Sequence, residues 1–212
     1  SWSVHCFTWR YKILSQADIN LDDYGIYDGI SETIFTTGLD LPNAAPMGVI
    51  RKNDRIQIRL FKGSQTYENV VNEKWLVVNV VIDPVVFVRS AFTNLDDTEF
   101  DTFFIDNKQY PFLKDALSYV LFECSDIKFT KNTLVADILP VHASINKNVI
   151  KAPNRGFNAV LDASIHATRY LVLGGEKYLD LIYELEKTVK KCGGTREKQA
   201  MELLYNFLNI DD

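Results

Sequence analysis

Apolar and polar positions alternate over short runs in the first two thirds of the chain, then switch to a helical period. Ser31–Thr37, Ala44–Arg51, Arg55–Phe61 and Trp75–Ile82 read as strands. Gly38-Leu39-Asp40 turns the first into the second, and Asn53-Asp54 the second into the third, because these residue types accept tight-turn backbone. Ser64–Asn72 reads as a short helix between the last two strands. Asp83-Pro84 stops the fourth strand, and Val85–Ala91 reads as a second short helix. Asn94–Lys108 is acidic and aperiodic and reads as a surface loop. Tyr119–Phe129 and Thr133–Ser144 alternate on either side of Lys131-Asn132 and form a second hairpin.

The last stretch is different. Asn158–Leu173, Lys177–Cys192 and Thr195–Asn209 carry helical periodicity, with Met201, Leu204, Tyr205 and Leu208 on one side of the last. Gly174-Gly175 and Gly193-Gly194 mark their ends. Strands at short spacing with little helix between them favour an antiparallel barrel. The expected fold is therefore mainly β with α: a barrel over residues 30–150 and a helical C-terminal subdomain over 151–212. Residues 1–29 hold sparse aromatics, Trp2, Phe7, Trp9 and Tyr11, without a period. They read as an N-terminal extension or an extra strand.

Composition narrows the function. At 212 residues with 47% hydrophobic and 12% aromatic positions, the chain can bury a real core. A net charge of −5 argues against general binding to nucleic acid or a membrane surface. Cys6, Cys124 and Cys192 lie far apart with no CxxC, so neither a zinc site nor a disulfide framework is expected. No apolar run is of membrane-spanning length, and a cytoplasmic protein is expected. The charge is uneven, however. Arg51, Lys52, Arg55, Arg59 and Lys62 face a single acid, Asp54, within twelve positions. That local excess suits a small anionic ligand better than a polymer.

The excess leads into Lys62-Gly63-Ser64-Gln65-Thr66, between a strand end and a helix start. The unpaired N–H groups of a first helical turn attract an anion. Ser64 and Thr66 can add hydroxyl donors, Lys62 a charge, and Gly63 close backbone approach. The same residues also make an ordinary polar loop with Ser64 or Thr66 as N-cap, and spacing alone leaves both readings standing. Neither a Walker A loop nor GxGxxG is present.

Longer segments carry a resemblance. NAAPMG on one strand and RLFKGSQTYENV at the end of the next resemble the FMN-binding split-barrel superfamily, which includes flavin reductases and pyridoxamine-phosphate-oxidase-like proteins. WLVVNVVIDPVVFVRSAF, FLKDALSYVLFEC and NRGFNAVLDASIHATRY are closest to an uncharacterised family of archaea and some bacteria, known only as a domain of unknown function. The resemblance covers Ile30 to Tyr170. It implies that FMN is the cofactor, with its phosphate at Lys62–Thr66 and Asn69, beside Arg59. Pro46, Met47 and Gly48, which could equally be a bulge on a sheet edge, become a wall of the flavin ring site. Asn79, inside an apolar strand, either caps a neighbouring loop or faces the flavin. Arg89 is a surface arginine or an anion-facing residue at the rim. His166 and Arg169 share a helix face with Asn158 and Asp162; that stripe is merely solvated or closes over the cofactor.

The resemblance further implies a homodimer with the flavin at the two-subunit interface, and a small-molecule electron donor or acceptor. The expected function is an FMN-dependent oxidoreductase of flavin reductase-like type. A non-catalytic FMN-binding protein is the alternative, and a site for another phosphorylated ligand a third. The catalytic residues, the substrate and the choice of nicotinamide or deazaflavin as donor are not legible.

Overall fold

A computed structural model describes residues 19–210. Its strands are β1 (Gly29–Thr37), β2 (Asn43–Lys52), β3 (Arg55–Phe61), β4 (Trp75–Val80), β5 (Phe100–Ile105), β6 (Lys108–Leu113), β7 (Ser118–Phe129) and β8 (Thr133–Ile145). The helices are α1 (Gln65–Glu73), α2 (Pro84–Phe92), α3 (Arg155–Leu173), α4 (Glu176–Cys192) and α5 (Thr195–Leu208). Six strands close an antiparallel barrel in the order β1-β2-β3-β8-β7-β4. Phe35, Ile58, Leu60, Leu76, Phe122 and Leu134 fill its interior, each under 2% exposed. Each such side chain contributes roughly 1.5–3 kcal/mol by leaving water.

Residues 19–28 do not behave as an appendage. A 3₁₀ turn at Leu21–Tyr24 places Leu21 in the barrel's interior cluster, and Ile26 follows it there. Arg51 pins this plug through Asp22 and the Ile26 carbonyl, and Ser118 donates to the Tyr24 carbonyl at 2.6 Å. The aromatics Trp2, Phe7, Trp9 and Tyr11 lie outside the described residues.

One seam of the barrel is incomplete. The β2–β3 hairpin turns at Asn53-Asp54, both left-handed with φ of 51° and 59°. Its ladder then holds for only three pairs, Lys52↔Arg55, Arg51↔Ile56 and Ile50↔Gln57. Both strands continue. β2 pairs with β1 from Asn43 to Arg51, and β3 pairs with β8 from Gln57 to Phe61. From Asn43 to Val49, β2 therefore has a ladder partner on one side only. Pro46 is tolerated there because a proline removes no bond from an open edge.

The acidic stretch Asn94–Lys108 is not a plain loop. It contains a 3₁₀ turn at Asp97–Glu99, then β5, which pairs with β6 across the left-handed pair Asp106-Asn107. The acids mask the apolar members of β5. Phe103 turns inward, stacking on Tyr119 at 4.9 Å and His142 at 5.1 Å. Enclosure in this layer holds the His142 imidazole below its ordinary pKa.

Asn79 fastens that hairpin to the barrel. It is fully buried on β4, and its amide nitrogen donates to the Ile34 carbonyl and the Thr36 hydroxyl, both at 3.0 Å. Its Oδ1 accepts the Leu113 N–H at 2.8 Å, while Thr36 donates to the Pro111 carbonyl at 2.7 Å. The amide's donors and acceptor are thus all engaged inside the fold, as a cap on neighbouring segments requires. The helices α3–α5 form a separate core with α2, centred on Val88, Ala163, Ile182 and Leu204.

Replacing Asn79 by Ala should cost roughly 2–4 kcal/mol, because several buried groups lose their partner together. Urea unfolding at equilibrium measures this. A loss below about 0.5 kcal/mol would contradict the anchoring role.

Candidate functional site

The start of α1 is fixed from two sides. Ser64 is its N-cap, in extended backbone: its Oγ accepts the Tyr67 N–H at 3.2 Å and donates to the Phe61 carbonyl at 3.0 Å. Farther along, Asn69 donates to Thr37 at 3.0 Å and accepts from Gln65 at 2.8 Å. Glu73 receives the N–H groups of Gly38 and Leu39 at 3.3 and 3.4 Å. Gly38 has φ of +87°, and a Cβ there would sit 2.4 Å from the Leu41 carbonyl oxygen, so no other residue fits this turn.

These bonds set what α1 offers a ligand. The Gln65 and Thr66 N–H groups belong to the first turn and have no carbonyl within the helix to meet. Thr66 is 1% exposed, and its Oγ1 accepts the Asn43 amide at 3.0 Å, so its hydroxyl hydrogen is left to donate. The Ser64 hydroxyl and one Asn69 amide hydrogen are engaged within the fold and hold the helix in place.

A cavity of about 400 Å³ opens over this turn. Ser64–Thr66 form one wall, Asn43–Ala45 at the start of the open β2 edge a second, and Ser90–Asn94 at the end of α2 the third. A smaller cavity of about 110 Å³ adjoins it: Ala91 lines both, and Pro46 continues the wall from Ala45. The cleft thus runs from a donor-rich helix end along a strand edge with unpaired backbone groups. Such groups must be met by water or ligand.

The other expected site residues are scattered. Pro46 lines the smaller cavity, but Met47 packs against the barrel interior. Gly48 already has a structural reason to be glycine: a Cβ would meet Ile30 Cγ2 at 2.9 Å. Arg59, Lys62 and Gly63 are exposed and line neither cavity. Arg89 makes a two-pronged ion pair with Glu99, both contacts 2.8 Å, and approaches Asp96 at 3.5 Å. Its guanidinium ties α2 to the turn before β5. His166 lies near Tyr178 of α4, ring centroids 6.3 Å apart, and its Nδ1 is buried without a partner among the described residues. Arg169 is exposed.

The α3 face turned to the cleft is instead Leu161, Ser164, Ile165 and Thr168. His166 lies roughly 140° round the helix from Leu161. Sequence reading missed this face, and also Asn43, Glu32 and the end of α2. Asn43 opens the NAAPMG segment and was within reach; the rest depend on how α2 and α3 dock. Glu32 of β1 sits at the smaller cavity, where enclosure, and secondarily the Asp162 carboxylate, push its carboxyl up. Burial pushes the Cys124 thiol up to about 12, which leaves it inert. No cluster of three or more metal-ligating side chains occurs among the described residues, and none of their helices is long and apolar enough to cross a membrane.

A closed antiparallel barrel with one seam parted beside a helix N-terminus is the split-barrel architecture. Within it, the chain belongs to the DUF447 family of proteins of unknown function: the N-terminal domain model matches residues 31–147 and the C-terminal one residues 154–206. An FMN-bound DUF447 protein from Methanosarcina mazei, known from its crystal structure, is 49% identical, with a TM-score of 0.85 over 89% of this chain and all of that one. An uncharacterised protein of Methanocaldococcus jannaschii is 26% identical over 85% of this chain and 99% of its own length. Flavoredoxin from Methanosarcina acetivorans is 14% identical, with a TM-score of 0.47 over 57% of this chain and 75% of that one.

Proposed function

We propose that the protein is an FMN-binding flavoprotein, with the phosphate at the start of α1 and the ring along the open edge of β2. The carrying observation is that one cavity joins the Gln65–Thr66 turn to the unpaired strand edge at Asn43–Ala45. The residues fit the group. Two first-turn N–H groups and the Thr66 hydroxyl suit a phosphate, and exposed Lys62, two residues before the N-cap, adds a full charge nearby. Alternate N–H and C=O groups of β2 match the mixed donor and acceptor edge of a flavin ring. The FMN bound by the Methanosarcina mazei relative supports FMN as the ligand.

When bound, the flavin supplies the redox chemistry, and this chain's residues bind and orient it. We read the protein as an FMN-dependent oxidoreductase of flavin reductase-like type, and as a homodimer. Phe61, at the end of β3 and 63% exposed, supports the dimer as apolar surface that a second copy would cover.

FMN should bind more tightly than riboflavin, since without the phosphate the donors at Thr66 lose their acceptor. Replacing Thr66 by Val, which keeps its shape, should weaken FMN about tenfold, the equivalent of one lost hydrogen bond, and leave riboflavin nearly unchanged. Calorimetry giving equal affinities for the two flavins would sink the placement. Anaerobic mixing of the FMN-loaded protein with NADH, NADPH or a reduced deazaflavin should bleach the visible flavin band with one of them. Reduction by dithionite alone would favour a non-catalytic FMN carrier. Light scattering at micromolar concentration should give twice the chain mass; a monomer that holds FMN tightly would exclude the dimer.

A further inference from the structure

The smaller cavity, between the barrel and α3, has a chemistry of its own. Its walls are apolar: Pro46 of β2, Phe87 and Ala91 of α2, and Leu161 and Ile165 of α3. An apolar protein cavity of about 150 Å³ can hold benzene. At about 110 Å³, and open to solvent beside Glu32, this slot has room for most of one six-membered ring and not for a bicyclic one.

Its polar atoms are one-sided. Ser164 donates its hydroxyl hydrogen to the Val160 carbonyl, and Thr168 donates to the Ile165 carbonyl, each at 2.9 Å. Those hydrogens are spent on the helix itself, so both oxygens present only lone pairs. Glu32 is the single ionisable group of the lining, and Asp162 on α3 adds a second negative charge close by. No lysine or arginine lines the slot. A ligand entering here meets apolar walls, acceptors and negative potential, and finds no charged donor.

We propose that this slot is a binding subsite for a small, flat, uncharged ring bearing an N–H donor, such as a ring carboxamide, and that it discriminates against carboxylates. An N–H group satisfies the acceptors. An anionic ligand would be placed, partly desolvated, beside Glu32 and Asp162, where nothing neutralises it. The slot shares Ala91 with the larger cavity and Pro46 with the β2 edge. Its role as the seat of the flavin's redox partner rests on the FMN reading; its binding preference does not.

The test uses the full chain, with and without FMN, and ligand-observed NMR of benzamide and benzoate, two probes of one shape and opposite polarity. Benzamide should bind, with benzoate at least about tenfold weaker. Thr168→Leu, which fills the slot, should abolish benzamide binding. Glu32→Gln, which removes the charge and keeps the shape, should bring the two affinities together. Equal binding to the unmodified protein, no binding of either probe, or an unchanged ratio in Glu32→Gln would overturn the proposal. FMN binding without benzamide binding would defeat the slot alone. Benzamide binding without FMN binding would defeat the flavin reading alone.

Discussion

β2 and β3 leave their shared turn as a normal hairpin and part after three residue pairs. Each strand then keeps a ladder on its far side, β2 with β1 and β3 with β8, so the barrel stays closed while one seam opens. That parting is the constraint on which the site depends. It costs the backbone hydrogen bonds of one edge, and a strand edge without partners is a liability unless something covers it. The chain follows β3 with a sharp turn at Gly63 and delivers the start of α1 beside the gap. A helix end short of acceptors and a strand edge short of partners are thus brought to the same place. Both must be met by water or a polar ligand, and the proposed phosphorylated heterocycle would answer both.

The rest of the molecule keeps that place rigid. Glu73 and Asn69 lock α1 to the β1–β2 loop, and Asn79 locks the β5–β6 hairpin across β1 and β4. Arg89 then ties α2 to the turn before that hairpin. α3–α5 share a core with α2, and α3 in turn supplies the outer wall of the smaller cavity. The surface proposed to face the ligand therefore lies where the barrel and the terminal helices meet, on elements with several independent anchors.

Features with a local cause were legible in the sequence. Asp83 caps α2 with Pro84 behind it, and Asn53-Asp54 forces a tight turn, because the chemistry lies in the residues themselves. The barrel and the three terminal helices follow from periodicity. Function of a polar residue was harder to read. Ser64, Asn69, Asn79 and Arg89 look like ligand groups in one dimension, and the fold spends each on internal bonds. β5 was lost because Asp101 and its acidic neighbours obscure an apolar alternation. His166 stands away from the α3 face that lines the smaller cavity, while Arg169 lies one turn beyond Ile165 at its border, and a helix's polar stripe does not reveal which side docks. Glu32 carried no sequence signal at all: its setting exists only once α3 and β1 face each other across the smaller cavity.

Amide hydrogen exchange along β2 tests the account most directly. In the free protein the open-edge amides between Asn43 and Val49 should exchange far faster than the β1-paired amides of the same strand. FMN should slow those amides and the Gln65 and Thr66 amides together, and leave the β7–β8 ladder unchanged. Open-edge amides already protected without ligand, or FMN protection that spares both β2 and the start of α1, would contradict it.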